Sequence, residues 1–534
     1  MKIYIILSGF IIFFFFYLLI GSNNATLFET TEGRYAEIAR EMLVSGNYLE
    51  PKLNGIKHFH KPPLAYWLMA AGMKLYGING AGVRFFGIIA SLICLVTTFF
   101  TAKIFLKNDY QSFICTVILA TSFLFLVVSR VVSTDIYLAA LTCLSIYFLF
   151  RQIYEKKSPL NSYFYSLFLG LAFLTKGPVV FLFTIFPYLV GKIFFKNHRK
   201  VFAKKEIITG LIIFLIVALP WYIIVVIKNP HLLGYFIGTQ TIERVTTEKF
   251  NRNEPFYFFI LIFFSTFIPY IFYLIKGAIK IKNLPDWLLQ LYLYILIPLI
   301  LFSLNKSKLA TYIVPFYGIS AIITAYILYN YKSDKLKIVS YILLLLMQVS
   351  AIMAFIIKFD VASMPTNCHI LLILWLAGII FTGIFMFVQY DKFIFNVSLP
   401  IFLLMCFSYV LIPYVEGEIK GYKNLTNAIN SIDPVKKYEV IVYQSFIPSI
   451  SFYRNKIAIM AFSKERETLF EKDDNYKRYY KTDVLELSTL FKEEKNFFIV
   501  SSPKSIESLQ ATYKIKCSYI SRQKKHSAYF CEQT

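Results

Sequence analysis

Apolar residues occur in long runs along most of this chain, and polar residues fall mainly in the segments between the runs. A helix needs about 20 apolar residues to cross the roughly 30 Å hydrocarbon core of a membrane. Such runs predict an all-α polytopic membrane domain over 1–413. Its thirteen predicted spans, some of them short, are 3–20, 83–106, 112–129, 136–150, 163–175, 178–195, 207–227, 256–275, 287–304, 309–329, 338–357, 369–389 and 393–413.

From about residue 414 the pattern changes to charged segments and short alternating apolar stretches. Segments 438–443 and 497–500 predict strands, and 484–491 predicts a helix. About 120 residues suffice for a small independent domain. We therefore expect a soluble α/β domain over 414–534, in which Cys517 and Cys531 form a disulfide if the tail lies in an oxidising compartment.

The composition agrees with a membrane protein. Hydrophobic residues make up 57% of the 534 residues and charged residues 16%, against about 25% charged in soluble domains. This excludes a cytosolic enzyme, and 55 Phe with 39 Tyr exclude a disordered chain. The net charge of +24 is better explained by basic cytoplasmic loops than by nucleic acid, so we expect membrane lipids and no nucleic acid as partners.

The basic residues also predict an orientation. They concentrate in the even-numbered connections between spans, which places the N-terminus in the cytoplasm. The long loops at about 22–82 and 228–255 are then outside, and an odd number of spans puts the tail outside as well. The first run, 3–20, has no convincing cleavage site, so we expect it to stay as a membrane anchor.

Several charged residues lie at the predicted outer edges of the spans, where cations are disfavoured. Charges there are costly and functional by default, and Arg and Lys together suit a phosphate. Snorkelling at the interface is the competing explanation for any one of them. These residues are Arg34, Lys61, Arg130, Asp135, Lys176, Glu243, Arg244, Lys306 and Lys308.

The first long loop is the most informative segment. Residues 31–42 predict an amphipathic helix along the membrane surface, with Tyr35 on its apolar face. Glu32 stands at the start of this helix, where a role with the helix dipole and a catalytic role both remain open. Two prolines after Lys61 predict an extended segment that holds this lysine at the aqueous edge.

Several motifs together resemble a known family. They are Glu32-Gly-Arg-Tyr-Ala-Glu-Ile-Ala-Arg-Glu-Met, Lys61-Pro-Pro-Leu-Ala-Tyr-Trp, Leu174-Thr-Lys-Gly, Leu219-Pro-Trp-Tyr and Ser307-Lys-Leu-Ala-Thr-Tyr-Ile. In this order they are similar to the polyprenyl-phosphate-sugar glycosyltransferases of the GT-C type. The lipid A aminoarabinose transferases are the branch most similar, and the protein O-mannosyltransferases are more distant relatives.

The resemblance implies inverting transfer of a sugar, such as aminoarabinose or another amino sugar, at the periplasmic face of a bacterial inner membrane. The implied donor is an undecaprenyl-phosphate sugar, and the implied acceptor is lipid A or a related envelope component. By position, the residues around the donor phosphate are Arg34, Tyr35, Lys61, Lys308 and Tyr312, the catalytic acids are Glu32 and Asp135, and further candidates are Lys176, Glu243 and Arg244. Cations in a dry cavity would stabilise the charge that develops on the leaving phosphate.

Three positions depart from the family pattern: Thr31 replaces an acid, His60 replaces an acid, and Thr241 replaces a histidine. The departures affect a family metal site, so His60 is a weak candidate ligand for a divalent metal. Glu32 could serve as general base toward a hydroxyl acceptor, whereas a phosphate acceptor is already anionic. Transfer to protein, a lipid or sugar transporter and an assembly protein are the competing functions.

Overall fold

The computed structural model describes residues 2–29, 31–198, 201–243, 254–359, 364–388, 392–463 and 474–533. The chain forms two units. The span unit comprises Met1–Ile20, Gly87–Arg130 and Thr134–Ser408, and the sheet unit comprises Gly21–Phe86, Val131–Ser133 and Tyr409–Thr534. The sheet unit thus joins the first long loop to the C-terminal residues, and the division at 413/414 remains a prediction about independently folding domains.

Helices account for most of the described residues, as the sequence predicted. The α-helices of at least six residues are Lys2–Leu19, Thr31–Ser45, Leu64–Tyr76, Gly80–Leu106, Asp109–Ala120, Phe123–Arg130, Asp135–Tyr154, Pro159–Lys176, Ile185–Phe194, Lys204–Ala218, Pro220–Lys228, Phe258–Thr266, Ile271–Ile279, Asp286–Leu304, Tyr317–Asn330, Asp334–Lys358, Thr366–Val388, Phe393–Leu411, Lys423–Ile432, Pro448–Arg454, Asp474–Tyr479, Val484–Glu493 and Pro503–Tyr513.

By length and composition, nine helical segments of the described residues can cross a membrane, or up to twelve if each of three bent pairs is one span. The bends are 65° between Ala120 and Phe123, 43° between Ala218 and Pro220, and 114° between Thr266 and Ile271. The sequence predicted thirteen. The difference arises at Pro159–Phe194, where two predicted spans form one apolar segment of 36 residues.

Close helix packing in the span unit depends on small residues. A Cβ added at Gly210 would lie 2.6 Å from the Ser166 hydroxyl, and one at Gly170 would lie 3.0 Å from Val217. Helices Pro159–Lys176 and Lys204–Ala218 therefore approach each other through glycines, as is common for membrane helices.

Arg130 is buried in the span unit and bound to the first helix. Its Nη2 donates to the carbonyl of Tyr17 at 2.7 Å, and its guanidinium lies 4.5 Å from the centre of the Tyr17 ring. Arg130, which the sequence placed at the outer edge of a span, therefore makes structural contacts within the span unit.

Within the part of the sheet unit that the structure describes there are eight strands. They are β1 (Lys52–Leu53), β2 (Ile56–Lys57), β3 (Glu439–Tyr443), β4 (Ile459–Ala461), β5 (Tyr480–Lys481), β6 (Asn496–Ser501), β7 (Ile515–Gln523) and β8 (His526–Gln533). β1 and β2 form a hairpin, and the others form one sheet in the order β5-β4-β3-β6-β8-β7. Strands β5, β4, β3 and β6 run parallel, whereas β8 and β7 are antiparallel.

Side-chain alternation along β3 fills two cores. Val440 and Val442 pack on one face of the sheet with helix Lys423–Ile432. Ile441 packs on the other face with helices Val484–Glu493 and Pro503–Tyr513. Both predicted strands and the predicted helix are present, so the C-terminal α/β prediction is confirmed.

The predicted disulfide is also present. Cys517 and Cys531 face each other across β7 and β8, with their Cα atoms 4.1 Å apart. Directly opposed residues of an antiparallel pair lie within the distance that a disulfide requires.

The predicted helix of the first loop is confirmed as Thr31–Ser45, but its surroundings differ from the expectation. Its polar side is buried as well as its apolar side, and Glu37, Arg40 and Glu41 are at most 6% exposed. An amphipathic helix on a membrane surface would keep these charges in water. The helix is instead enclosed within the sheet unit.

Candidate active site

Lys61 lies in a segment that the β1–β2 hairpin fixes. Asn54 and Gly55 form the turn of this hairpin, with φ of 49° and 82°. The two strands pair Lys52 with Lys57, and the His58 N–H donates to the Pro51 carbonyl at 2.7 Å. Pro63 then precedes helix Leu64–Tyr76. The sequence predicted an extended segment with Lys61 at the aqueous edge, whereas the backbone bends at His60 and Lys61 and Lys61 is buried, 9% exposed.

His58 marks where two predicted phosphate ligands come together. Its ring is fully buried, and neither ring nitrogen has a hydrogen-bond partner among the described residues. Burial, with the positive charges of Arg34 and Lys61, lowers the pKa of His58 well below its ordinary value. The His60 ring lies 4.5 Å away, centre to centre. The positive charges of Arg34 and Lys61 thus both act on a buried imidazole.

Tyr35 follows Arg34 in the same turn of helix Thr31–Ser45. Its ring is 5.8 Å from the ring of Tyr66, which is fully buried. Tyr66 belongs to helix Leu64–Tyr76, directly after the Lys-Pro-Pro segment. The packing therefore links the two segments that carry Arg34 and Lys61.

Glu32 is held by backbone groups and by an arginine. Its Oε2 accepts the N–H of Phe28 at 2.9 Å, its Oε1 accepts the N–H of Val132 at 2.5 Å, and Arg84 lies 3.6 Å from Oε1. Burial raises the pKa of Glu32, while Arg84 and the two backbone N–H groups oppose the rise. Both carboxylate oxygens are therefore engaged.

Arg84 was missed by the sequence analysis because it lies inside an apolar run. It is 4% exposed, and its guanidinium donates to the carbonyls of Ser22, Ala25 and Thr26 at 2.9 to 3.2 Å. A buried cation within an apolar run was the signal that could have found it.

Glu29 is a second acid that the sequence analysis did not select. Its Oε1 accepts the N–H of Ser449 at 2.7 Å, and a Cβ added at Gly33 would lie 2.6 Å from this oxygen. Burial raises the pKa of Glu29 to about 7, opposed by Ser449 and Arg34. This carboxyl is therefore close to half-ionised at neutral pH.

In the span unit, Asp135 and Lys176 form a buried ion pair. Asp135 begins helix Asp135–Tyr154, and Lys176 ends helix Pro159–Lys176. Their side chains are 7% and 8% exposed. The other Asp135 oxygen accepts the Thr311 hydroxyl at 2.7 Å, and Lys176 Nζ lies 4.2 Å from the centre of the Tyr312 ring. Three predicted site residues, Asp135, Lys176 and Tyr312, are thus together.

Lys308 lies in the short connection before the turn Ala310–Phe316 of the span unit. It is 6% exposed, and its Nζ donates to the Glu254 carbonyl at 2.9 Å. Burial lowers the pKa of Lys308, opposed by the charge of Glu254. Glu243, at the end of the segment Tyr235–Glu243, is half-buried, and Arg244 lies outside the described residues.

Among the described residues, the predicted metal ligand His60 does not belong to a group of side chains that could bind a metal ion. Within the described ranges, no group of three or more His, Cys, Asp or Glu side chains could hold a metal ion. A protein zinc site normally supplies at least three ligands. We therefore derive no step through a metal.

Each unit thus carries buried cations, Lys61 beside the half-buried Arg34 in one and Lys176 and Lys308 in the other. Buried Arg and Lys side chains bind oxyanions strongly because water does not screen them. The acids nearby are committed to ion pairs or backbone N–H groups. This chemistry suits binding of a phosphorylated ligand better than proton transfer.

Comparison with known proteins agrees with this chemistry. A family model described as dolichyl-phosphate-mannose-protein mannosyltransferase matches residues 5–236. An uncharacterized protein of Aquifex aeolicus is 28% identical over 80% of this chain and 82% of its own length. The undecaprenyl phosphate-alpha-4-amino-4-deoxy-L-arabinose arabinosyl transferase 2 of Proteus mirabilis is 29% identical over 64% of this chain, and the match spans 63% of that protein.

A solved structure shares the fold over nearly the whole chain. ArnT from Cupriavidus metallidurans, bound to undecaprenyl phosphate, superposes with a TM-score of 0.79 at 18% identity, covering 98% of this chain and 97% of that one. The relatives indicate an integral inner membrane glycosyltransferase, and in sequence and fold the chain is similar to the GT-C type. Within that class it resembles the undecaprenyl-phosphate aminoarabinose transferases. The transporter and assembly-protein hypotheses are thereby set aside.

Proposed function

We propose that this protein transfers a sugar, aminoarabinose or another amino sugar, from an undecaprenyl-phosphate donor to lipid A or a related envelope acceptor, with inversion. The active site faces the periplasm in this proposal, as does the C-terminal domain. The named relatives support the donor class, the family resemblance implies the acceptor class, and the basic even-numbered connections support the orientation.

The buried cations are the observation that carries the proposal. Arg34 and Lys61 both lower the pKa of the buried His58, and Lys61 is itself buried, so positive charge is concentrated where water screens it little. The donor's leaving group is a phosphate, which gains charge as the glycosidic bond breaks. Positive charges already in place stabilise that transition state without reorganisation. Lys61, Arg34 and Tyr35 are therefore proposed donor-phosphate residues, together with Lys308 and Tyr312.

Glu32 and Asp135 were selected from the sequence as catalytic acids, and their contacts favour a holding role instead. Glu32 accepts two backbone N–H groups beside Arg84, and Asp135 pairs with Lys176. A phosphate acceptor arrives already ionised and needs no general base. The two carboxylates would then hold cations and loops in place while the acceptor attacks.

A transfer assay with the purified full-length chain in detergent tests the proposal. The donor is undecaprenyl-phosphate 4-amino-4-deoxyarabinose, and the acceptors are lipid A and a Ser/Thr-rich peptide in separate reactions. The proposal expects undecaprenyl phosphate to be released and lipid A to gain one pentosamine. Glycosylation of the peptide and not of lipid A would favour transfer to protein.

A further inference from the structure

The buried side of helix Thr31–Ser45 carries three charged side chains that the proposed transfer does not use. Glu37, Arg40 and Glu41 are 0%, 3% and 6% exposed. Arg40 donates to both oxygens of Glu37, from Nη2 at 2.6 Å and from Nε at 2.7 Å. Burying three charges is costly unless each is paired and hydrogen-bonded. We call this set the Glu37–Arg40–Glu41 triad.

Both acids of the triad have raised pKa values. Burial and the adjacent Glu37 raise the pKa of Glu41 to about 8, and the two carboxyl groups are hydrogen-bonded to each other. Burial also raises the pKa of Glu37, and the charge of Arg40 opposes that rise. A protonated carboxyl donates one hydrogen bond and still accepts others.

Glu41 also reaches the turn of the β1–β2 hairpin. The Gly55 N–H lies 3.0 Å and 3.2 Å from its two oxygens. Asn54 and Gly55 both have positive φ, as in the Asn-Gly turns that connect short hairpins. A Cβ added at Gly55 would lie 2.6 Å from the ring of Tyr479. The turn is therefore fixed from two sides.

The hairpin leads directly to Lys61. Strand β2 ends at Lys57, the His58 N–H is bound to the Pro51 carbonyl, and Phe59 is fully buried. Two prolines follow Lys61 and restrict the backbone on its other side. Movement of the Gly55 turn would therefore be transmitted to Lys61 through a short, ordered segment.

We propose that the Glu37–Arg40–Glu41 triad is a positioning device for the donor-phosphate lysine, in which Glu41 fixes the Asn54–Gly55 turn and thereby places Lys61. The inference rests on the proposed function through the role of Lys61 alone. It makes Glu41 a positioning residue that acts without touching the substrate.

Three variants of the full-length protein in detergent test this role. Glu41→Gln keeps a donor toward Glu37 and an acceptor for Gly55, as the protonated acid does. Glu41→Ala removes both. Glu50→Gln is the matched control, because Glu50 pairs with Lys57 of the same hairpin at 3.5 Å but does not hold the turn. The measurements are kcat/KM for the lipid-linked donor and amide hydrogen exchange of residues 52–61.

Glu41→Ala should lower kcat/KM roughly 10²-fold, the effect of about 1 Å of misplacement, and should speed exchange at Gly55 and His58. Glu41→Gln and Glu50→Gln should keep the parental kcat/KM and exchange. In a Lys61→Ala background, Glu41→Ala should add little further loss, because both changes act on one contact. Glu41→Asp, which withdraws the carboxyl from Gly55, should show a smaller loss and serves if Glu41→Ala does not fold.

Folded Glu41→Ala or Glu41→Asp protein with parental kcat/KM would overturn the inference, as would lost activity with unchanged exchange at 52–61. An equal loss in Glu41→Gln would also overturn it. Parental activity of Lys61→Ala would instead refute the proposed role of Lys61. The exchange data on Glu41→Ala would then still report whether Glu41 holds the turn, so the two failures are distinguishable.

Discussion

Glu32→Gln separates a holding role for Glu32 from a catalytic one. Glutamine keeps one oxygen, but its amide nitrogen must face an N–H donor, either that of Phe28 or that of Val132. The loss of one charge-assisted hydrogen bond costs about 1.5–3 kcal/mol, and breaking the buried pair with Arg84 sets an upper bound of about 5 kcal/mol. We therefore expect the free energy of unfolding to fall by an amount between these limits.

Unfolding of the purified protein in detergent measures the stability, and donor turnover per folded molecule measures the chemistry. We expect lower stability with turnover near parental. Arg84→Met should lose a similar amount of stability, and the double variant should lose less than the sum, because the two residues share one interaction. Parental stability with kcat reduced about 10²–10⁴-fold, the range for loss of a general acid or base, would refute this reasoning.

Three further predictions concern the proposed phosphate ligands, the buried acids and the membrane topology. Lys61→Ala and Arg34→Ala should each lower kcat about 10²–10³-fold with little change in protein level, measured by transfer assay and immunoblot. Burial raises the pKa of Glu41 to about 8 and that of Glu29 to about 7, so both bind protons in the folded state that the unfolded chain releases near 4.5. The contribution of the two protonated carboxyls to the free energy of unfolding should be complete below about pH 4.5 and lost as the pH rises through about 7 for Glu29 and about 8 for Glu41. Unfolding curves of Glu41→Gln should therefore depend less on pH between about 4.5 and 8 than those of the parental protein. A periplasm-specific reporter fused after residue 534 should be active, and activity of a cytoplasmic reporter there would refute the predicted topology.

The membrane architecture could be predicted from the sequence because the hydrophobic requirement is local. A run of about 20 apolar residues predicts a span wherever it lies, and alternating residues such as those of 438–443 predict a strand. The count differed at Pro159–Phe194 because Gly177 and Pro178 indicate a break, whereas the segment stays helical around it as a short 3₁₀ turn.

The partners of the charged residues could not be predicted, because they are set by tertiary contacts. Asp135 and Lys176 were each selected from the sequence, yet their pairing joins positions 41 residues apart. Glu37, Arg40 and Glu41 lie on the polar side of a helical pattern that normally faces water, so their burial was not expected. Arg84 lies within an apolar run, and its contacts with loop carbonyls and with Glu32 explain its presence there.

Mass spectrometry of lipid A tests the central claim most directly. A strain deleted for this protein is compared with the same strain carrying the parental gene or the Lys61→Ala variant. The account predicts a pentosamine or hexosamine on lipid A only when the parental protein is present, and loss of that sugar with Lys61→Ala despite normal protein level. Identical lipid A in the deleted and complemented strains would contradict the proposed acceptor, and full modification by Lys61→Ala would contradict the proposed site.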